Sequence, residues 1–267
     1  MVPRALQHDV SGDGEPLVLI PGGLTGWVSW IPLQERLARR RKAIRVQPIY
    51  NELGSAGQPR HPGHSRHLEH ESLRLTLVEL GIERADFAGW SAGANLLIDF
   101  AAFHQDMVRS LTLIEPGAYW ILDQLGETDP RLHAFNEFLW GLAGAEITGD
   151  DLAVFMSSAG FVENAAQARR DPYWVRALPH RMTLSWLDEE LMGSDLSVGD
   201  LAGIQGPTLL TRGSDTESWD RRTVDLLGQY LPNARVVEFE GGHAHHIENL
   251  DAFAEVMEDH LRAAHSA

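Results

Sequence analysis

Short apolar runs alternate with helical patterns along most of the chain. Residues 1–16 are largely polar and end in a turn, and residues 17–20 then form a continuous apolar run, typical of a strand buried on both faces. Similar runs recur, each followed by a helical pattern, and such units indicate a mostly parallel sheet with helices on both faces. The further predicted strands are 43–49, 85–90, 110–117, 207–212 and 234–239, and the predicted helices include 71–80, 92–103, 220–231 and 250–263.

Residues 118–205 break this alternation. Helical periodicity recurs there around 131–142, 150–155 and 180–192, whereas no strand is predicted. The segment is rich in aromatic residues, which predict either a small core of its own or the lining of an apolar pocket. We therefore divide the chain into a strand–helix core, residues 1–117 and 206–267, and a helical segment, residues 118–205.

Composition and charge narrow the class of partner. The 267 residues are 43% hydrophobic, enough to bury a sizeable core, and carry a formal net charge of −16. Nucleic acids and anionic membranes favour basic surfaces, so neither is an expected partner. The chain contains no cysteine, its first ten residues lack the apolar core of a signal peptide, and no apolar run approaches a membrane span. We expect a cytoplasmic protein that acts on a small molecule, and no sequence feature marks an oligomer interface.

One serine stands between a predicted strand and a predicted helix. Ser91 has Gly89 and Gly93 two residues to either side, which makes the pattern G-x-S-x-G. A serine on a sharp strand-to-helix turn has a strained backbone, and glycine neighbours let the chain pass close to it. Such a turn exposes the hydroxyl and directs the free N–H groups of the following helix toward its target.

This motif and the order of the surrounding elements resemble the α/β-hydrolases over nearly the whole chain. The resemblance implies an α/β-hydrolase fold with a helical cap inserted after the strand that ends at Glu115, and it implies Ser91 as the nucleophile. Pro21-Gly22-Gly23 is similar to the family's His-Gly-x loop, although proline replaces the histidine. By that resemblance the backbone N–H groups of Gly23 and Ala92 form the oxyanion hole.

The resemblance also implies a base and an acid. His243 follows the last predicted strand and precedes Glu248 by five residues, similar to the family's G-H-x-x-x-x-E motif, which makes it the expected base. Two residues are candidates for the acid that orients it. Asp215 lies one residue before Thr216, which occupies the place where many members carry the acid, and Glu115 follows the strand after the nucleophile helix, where other members carry it. We favour Glu115 and keep Asp215 as the alternative.

The expected function is a serine hydrolase that cleaves an ester or lactone of a small apolar substrate through an acyl-enzyme. This chemistry requires no metal or organic cofactor. Alternatives are another reaction of the fold (C–C bond hydrolysis, perhydrolysis or a lyase reaction) and a catalytically idle small-molecule receptor. Four histidines spaced every third residue from His61 to His70 predict no metal site, because that spacing drifts around a helix. The candidate substrate-binding residues are Leu24, Trp27, Trp90 and Trp120.

Overall fold

A computed structural model of the protein describes residues 1–266. Its centre is a seven-stranded sheet in the order β1-β3-β2-β4-β5-β6-β7, in which every neighbouring pair is parallel except β1 with β3. The predicted mostly parallel sheet is confirmed. The strands are β1 (Gln7–Ser11), β2 (Pro16–Ile20), β3 (Lys42–Gln47), β4 (Ala85–Trp90), β5 (Val108–Ile114), β6 (Thr208–Gly213) and β7 (Ala234–Phe239).

Helices connect these strands and cover the sheet. Thirteen α-helices lie among the described residues, with short 3-10 helices at Gly26–Trp30, Gln105–Met107, Leu178–Trp186 and Val198–Gly203. The α-helices are α1 (Ile31–Leu37), α2 (Ile49–Ser55), α3 (Arg66–Glu79), α4 (Ala92–Phe103), α5 (Trp120–Gln124), α6 (Pro130–Gly141), α7 (Gly149–Ser158), α8 (Ala165–Ala168), α9 (Trp174–Ala177), α10 (Glu189–Met192), α11 (Ser218–Tyr230), α12 (His245–Glu248) and α13 (Leu250–Ser266).

Both faces of the central strands β2, β4 and β5 are buried, as the continuous apolar runs predict. In β2, Leu17 and Leu19 pack with α1 and α13, whereas Val18 and Ile20 belong to the larger cluster that contains α3, α4 and α11. Successive side chains of a strand point to opposite faces, so a run that is apolar at every position needs helices on both sides. None of the helices within residues 1–266 combines the length and the apolar composition that a bilayer crossing requires.

Two local elements differ from the sequence prediction. Gln7–Ser11 forms an antiparallel edge strand against β3 within the segment that the sequence marks only as polar, because an edge strand with exposed positions needs no apolar run. The single helix predicted over 180–192 is divided into the 3-10 helix Leu178–Trp186 and α10, which begins after Asp188. The carboxylate of Asp188 accepts a hydrogen bond from the N–H of Leu191 and starts the second helix.

The parallel arrangement determines where the predicted site residues lie. The chain leaves β2, β4, β5, β6 and β7 at the same edge of the sheet, and the loops after these strands carry Gly23, Ser91, Glu115, Thr216 and His243 respectively. Ligand sites of open α/β sheets lie at this carboxyl edge. The fold therefore brings five segments that are distant in sequence to one place.

Candidate active site

Ser91 occupies a strained turn between β4 and α4. Its backbone has φ 54° and ψ −117°, in the left-handed half of conformational space that residues with a side chain rarely adopt. Two hydrogen bonds to the neighbouring chain hold it there: its N–H donates to the carbonyl of Ile114 (2.9 Å) and its carbonyl accepts from the N–H of Gly117 (3.1 Å). The residue remains partly exposed.

The glycines of the motif are required by close backbone contacts. A Cβ atom at Gly89 would lie 2.8 Å from the backbone of Ala94, and one at Gly93 would lie 2.3 Å from the carbonyl oxygen of Pro21. Both contacts are with backbone atoms, which cannot move aside as a side chain does. The small residues therefore let β4, α4 and the loop after β2 approach one another around Ser91.

Glu115 and His243 form a buried hydrogen-bonded pair. Nδ1 of His243 lies 2.6 Å from Oε2 of Glu115, and both side chains are almost completely shielded from solvent. The carboxylate also accepts the N–H of Gly213 at Oε1 and the hydroxyl of Thr216 at Oε2, each at 2.7 Å. Like Ser91, Glu115 has a positive φ, of 38°. The geometry orients the imidazole and stabilises its charged form.

The electrostatics of the pair are mutual. Burial by itself would raise the pKa of Glu115, but the hydrogen bond and charge of His243 and the N–H of Gly213 outweigh it and lower that pKa. Burial opposes the charged form of His243 as well, yet the hydrogen bond that the imidazole donates to Glu115 and the charges of Glu115 and Asp220 raise the pKa of His243. An imidazole in this position is a strengthened base.

Aromatic side chains fix the imidazole from two sides. The indole N–H of Trp90 donates to the carbonyl oxygen of His243 (2.9 Å), and the two rings lie 5.7 Å apart. The ring of Phe161, from the helical segment, meets the imidazole edge-on at 5.4 Å. Because Trp90 immediately precedes Ser91, these contacts bring His243 to the same turn as the serine. Phe161 stacks in turn on Tyr173, with ring centroids 5.1 Å apart.

A second buried carboxyl group, Asp220, lies beside the pair. One polar atom from each of Glu115, Asp220 and His243 lies within 4.8 Å of the others, and Oδ1 of Asp220 accepts the hydroxyl of Tyr119 at 2.7 Å. The 2.6 Å between Nδ1 of His243 and Oε2 of Glu115 is the length of a direct hydrogen bond. We therefore interpret the three side chains as a hydrogen-bonded network. Burial and the nearby Glu115 raise the pKa of Asp220 to about 7. Sequence reasoning missed this residue because it lies within α11, outside any motif.

The other predicted residues lie in different surroundings. Asp215, the alternative acid, is exposed and accepts a hydrogen bond from its neighbour Ser214 (3.1 Å), so the structure pairs His243 with Glu115 and leaves Asp215 at the surface. Trp27 lies beneath the guanidinium of Arg45, 5.7 Å from its ring centre. Leu24 is buried in the larger core cluster.

Trp120 is buried and has a structural contact. Its indole N–H donates to the side-chain oxygen of Asn95 (3.0 Å), whose amide donates to the carbonyls of Met192 and Gly193 (3.1 and 3.2 Å). These bonds join α4, directly after the Ser91 turn, to the end of α10 in the helical segment. Trp120 therefore helps to hold that segment over the turn.

The two predicted oxyanion donors lie under side chains of the helical segment. Within the described part of the chain, no acceptor takes the N–H of Gly23 or of Ala92. A Cβ atom at Gly23 would lie 2.6 Å from the side chain of Leu187, and one at Gly117, next to Ala92, would lie 2.8 Å from the methyl group of Met192. Sequence reasoning missed Leu187 and Met192, since a helical pattern indicates an apolar face but not which loop of the core that face covers.

Comparison with known proteins decides the family. A model described as "Alpha/beta hydrolase family" matches residues 17–256. The chain belongs to the α/β-hydrolase family. The predicted family and fold are thereby confirmed, including a sheet whose turn after β4 presents a serine.

Relatives of this α/β-hydrolase include proteins named "Putative carbamate hydrolase RutD". The one from Stutzerimonas stutzeri is 24% identical over 261 residues, covering 92% of this chain and 91% of its own length. The one from Azorhizobium caulinodans is 26% identical over 259 residues, with coverage of 94% and 93%. These matches support a hydrolase.

Solved structures agree on the fold. An α/β-hydrolase from Sphaerobacter thermophilus is 25% identical, has a TM-score of 0.68 and covers 94% of this chain and 98% of its own. The enol-lactonase from Burkholderia xenovorans is 21% identical, with a TM-score of 0.65 and coverage of 96% for both chains. Carboxylesterase CesB from Bacillus subtilis is 18% identical, with a TM-score of 0.73 and coverage of 97% and 90%.

Proposed function

We propose that this α/β-hydrolase is a serine hydrolase that cleaves an ester or lactone through an acyl-enzyme. The observation that carries the proposal is the buried Glu115–His243 hydrogen bond at the edge of the sheet where the strained Ser91 turn lies. A serine hydroxyl needs a base, and the base needs a carboxylate that holds its tautomer and stabilises its positive charge. These three residue types occur here on three separate loops.

In the proposed reaction Ser91 Oγ attacks the substrate carbonyl while Nε2 of His243 takes the hydroxyl proton. Nδ1 of His243 keeps its hydrogen bond to Glu115, which stabilises the imidazolium. The N–H groups of Gly23 and Ala92 receive the oxyanion, close to the positive end of the α4 dipole. His243 then returns the proton to the leaving alkoxide, and a water molecule, activated by the same imidazole, releases the acid.

An apolar cleft next to the site supports an apolar substrate. A cleft of about 440 Å³ lies between the core and the helical segment. Most of its walls are apolar, with Ile31, Val175 and Ile247 among them, and its polar members include Thr25, Arg176 and His180. Thr25 follows the loop of Gly23, and Ile247 follows His243 by four residues. We propose that the hydrophobic part of the substrate enters through this cleft. The hydroxyl groups of Thr25 and Tyr173, 2.9 Å apart, join its two walls.

Carbamate hydrolysis is the second candidate, because the RutD relatives carry that name and match over 92–94% of this chain. A carbamate presents the same kind of carbonyl to Ser91 and needs the same base and oxyanion donors. A substrate panel distinguishes the two classes. It contains nitrophenyl esters of increasing chain length, several lactones and matched alkyl carbamates, and the ratio of kcat/KM between the classes is the deciding quantity.

The proposal is tested with Ser91→Ala and with a fluorophosphonate label. We expect the variant to lose at least about 10³-fold in kcat, because removing a triad member leaves only binding and the oxyanion hole. We expect the label to attach to the wild type at Ser91 and not to the variant. Ser157→Ala, a change in α7, is the matched control and should keep full activity and labelling. Full esterase activity in purified Ser91→Ala would refute the serine mechanism.

A further inference from the structure

Asp220 is the buried ionisable group of the site that the proposed mechanism leaves without a role. It lies on the first turn of α11 and is 2% exposed. Its Oδ1 accepts the hydroxyl of Tyr119 at 2.7 Å, and its Oδ2 lies 3.4 Å from the hydroxyl of Thr216. No arginine or lysine among residues 1–266 forms an ion pair with it. A buried carboxyl group without a cation is costly as a full negative charge.

The Thr216 hydroxyl connects Asp220 to the triad acid. Its oxygen lies 2.7 Å from Oε2 of Glu115 and 3.4 Å from Oδ2 of Asp220. A hydroxyl has one proton to give, and the shorter contact directs that proton to Glu115. The remaining lone pairs of the Thr216 oxygen then face Asp220. A neutral Asp220 carboxyl group can donate to that oxygen, whereas an ionised one has no proton to offer.

We propose that Asp220 is a second acid of the site, a positioning residue that is coupled to Glu115 through Thr216 and raises the proton affinity of His243 when it ionises. The inference rests on the proposed function, in which His243 is the base. In the resting protein the proton resides on Asp220 and the negative charge on Glu115, next to the imidazole. When His243 is protonated, its positive charge favours ionisation of Asp220, whose proton passes to solvent water, so the imidazolium is stabilised by two carboxylates.

The charges around Asp220 support this arrangement. Burial has the largest influence on Asp220 and raises its pKa. The negative charges of Glu115 and Glu217 raise this pKa further, whereas His243 and the Tyr119 hydroxyl lower it. The result is a pKa of about 7. His245, 3.8 Å from Glu115, adds no positive charge near neutrality, because burial lowers its pKa to about 4. The groups facing Asp220 are Glu115 at the end of β5, His243 after β7, Tyr119 before α5, and Thr216 and Glu217 at the start of α11.

The direction of the pH effect follows from the charges. An ionised Asp220 stabilises protonated His243 and so raises the pKa of the imidazole. It therefore raises the pH below which activity is lost. Asp220→Asn keeps a hydrogen-bond donor toward Thr216 but cannot become negative. The acidic limb of kcat/KM should therefore move to lower pH in the variant, by about 0.5–1 pH unit, which is the size of ordinary charge perturbations in proteins.

The experiment compares Asp220→Asn with Asp225→Asn. Asp225 lies on the same helix and forms an ion pair with Arg212 at the surface, so the control makes the same chemical change outside the site. We expect a downward shift of the acidic limb in Asp220→Asn and none in Asp225→Asn. A merely structural role would lower activity at every pH without moving the limb. An unmoved limb, or one shifted upward, would overturn the inference.

A direct titration makes the test independent of the reaction. The imidazole pKa of His243 is measured by NMR in Ser91→Ala, alone and combined with Asp220→Asn, and the second protein should give the lower value. If Ser91→Ala remains active while the imidazole pKa shifts, the proposed function fails and the role of Asp220 stands.

Should Asp220→Asn not fold, Tyr119→Phe gives the same test. It removes a hydrogen bond that favours ionised Asp220 and should shift the imidazole pKa down by a smaller amount.

Discussion

Ser91 and Glu115 are the only two non-glycine residues with positive φ in the part of the chain that the structure describes. They end adjacent parallel strands, and each is held by hydrogen bonds to its neighbours. Such a conformation costs about 1–3 kcal/mol and persists only where the surrounding structure imposes it. Here it places Ser91 and Glu115 at the same edge of the sheet, where the carboxylate of Glu115 meets the imidazole of His243.

The two candidate acids make a matched pair for mutation. Glu115→Gln keeps the size of the side chain but removes the charge that stabilises the His243 imidazolium, so kcat should fall by up to about 10⁴. Asp215→Asn makes the equivalent change at the exposed residue and should leave kcat within a factor of about two, as surface changes do. Steady-state kinetics on one ester decides between them. A greater loss in Asp215→Asn would assign the acid to Asp215.

At the scale of elements, the turn between β4 and α4 depends on contacts between backbones. Gly93 lies against the carbonyl of Pro21, so the Ser91 turn and the loop of Gly23 are packed together without an intervening side chain. This contact couples the position of the serine to that of a proposed oxyanion donor. The spacing of the motif therefore reflects steric need in the folded protein.

Gly93→Ala tests this packing. The added methyl group would lie 2.3 Å from the Pro21 oxygen, and relieving that contact should lower the free energy of unfolding by about 1–3 kcal/mol. Gly141→Ala is the control: no atom lies within 4 Å of its added methyl group, and alanine favours a helix, so stability should rise by up to about 1 kcal/mol. Urea denaturation measures both, and an unchanged stability in Gly93→Ala would contradict the steric argument.

At the scale of the whole molecule, the helical segment encloses the site. Leu187 and Met192 lie over the glycine loops, and Phe161 contacts the imidazole of His243, which is only 5% exposed. The cleft beside Thr25 lies where this segment meets the core. We therefore propose that the substrate is selected at the boundary between the two parts of the chain.

Val175→Asp tests the proposed entrance. Val175 is 75% exposed on the cleft wall, so a charge there should leave folding intact and disfavour an apolar chain. We expect kcat/KM for long-chain esters to fall about 10-fold while that for acetyl esters is unchanged, the size of effect that a hydrophobic contact supports. Val154→Asp, at an exposed position of α7, is the control. Equal effects of the two variants on long-chain esters would rule out the cleft as the entrance.

The sequence by itself determined the order of the six strands β2 to β7, the parallel sheet and the Ser91 turn, because these follow from local periodicity and from glycines at fixed spacing. It left two acids open and missed β1, since an exposed edge strand carries no apolar run. Only the tertiary structure paired Glu115 with His243, placed Asp220 beside them and turned Leu187 over Gly23. These contacts join residues far apart in the chain, and their partners are set by how strands and helices pack, which no local pattern records.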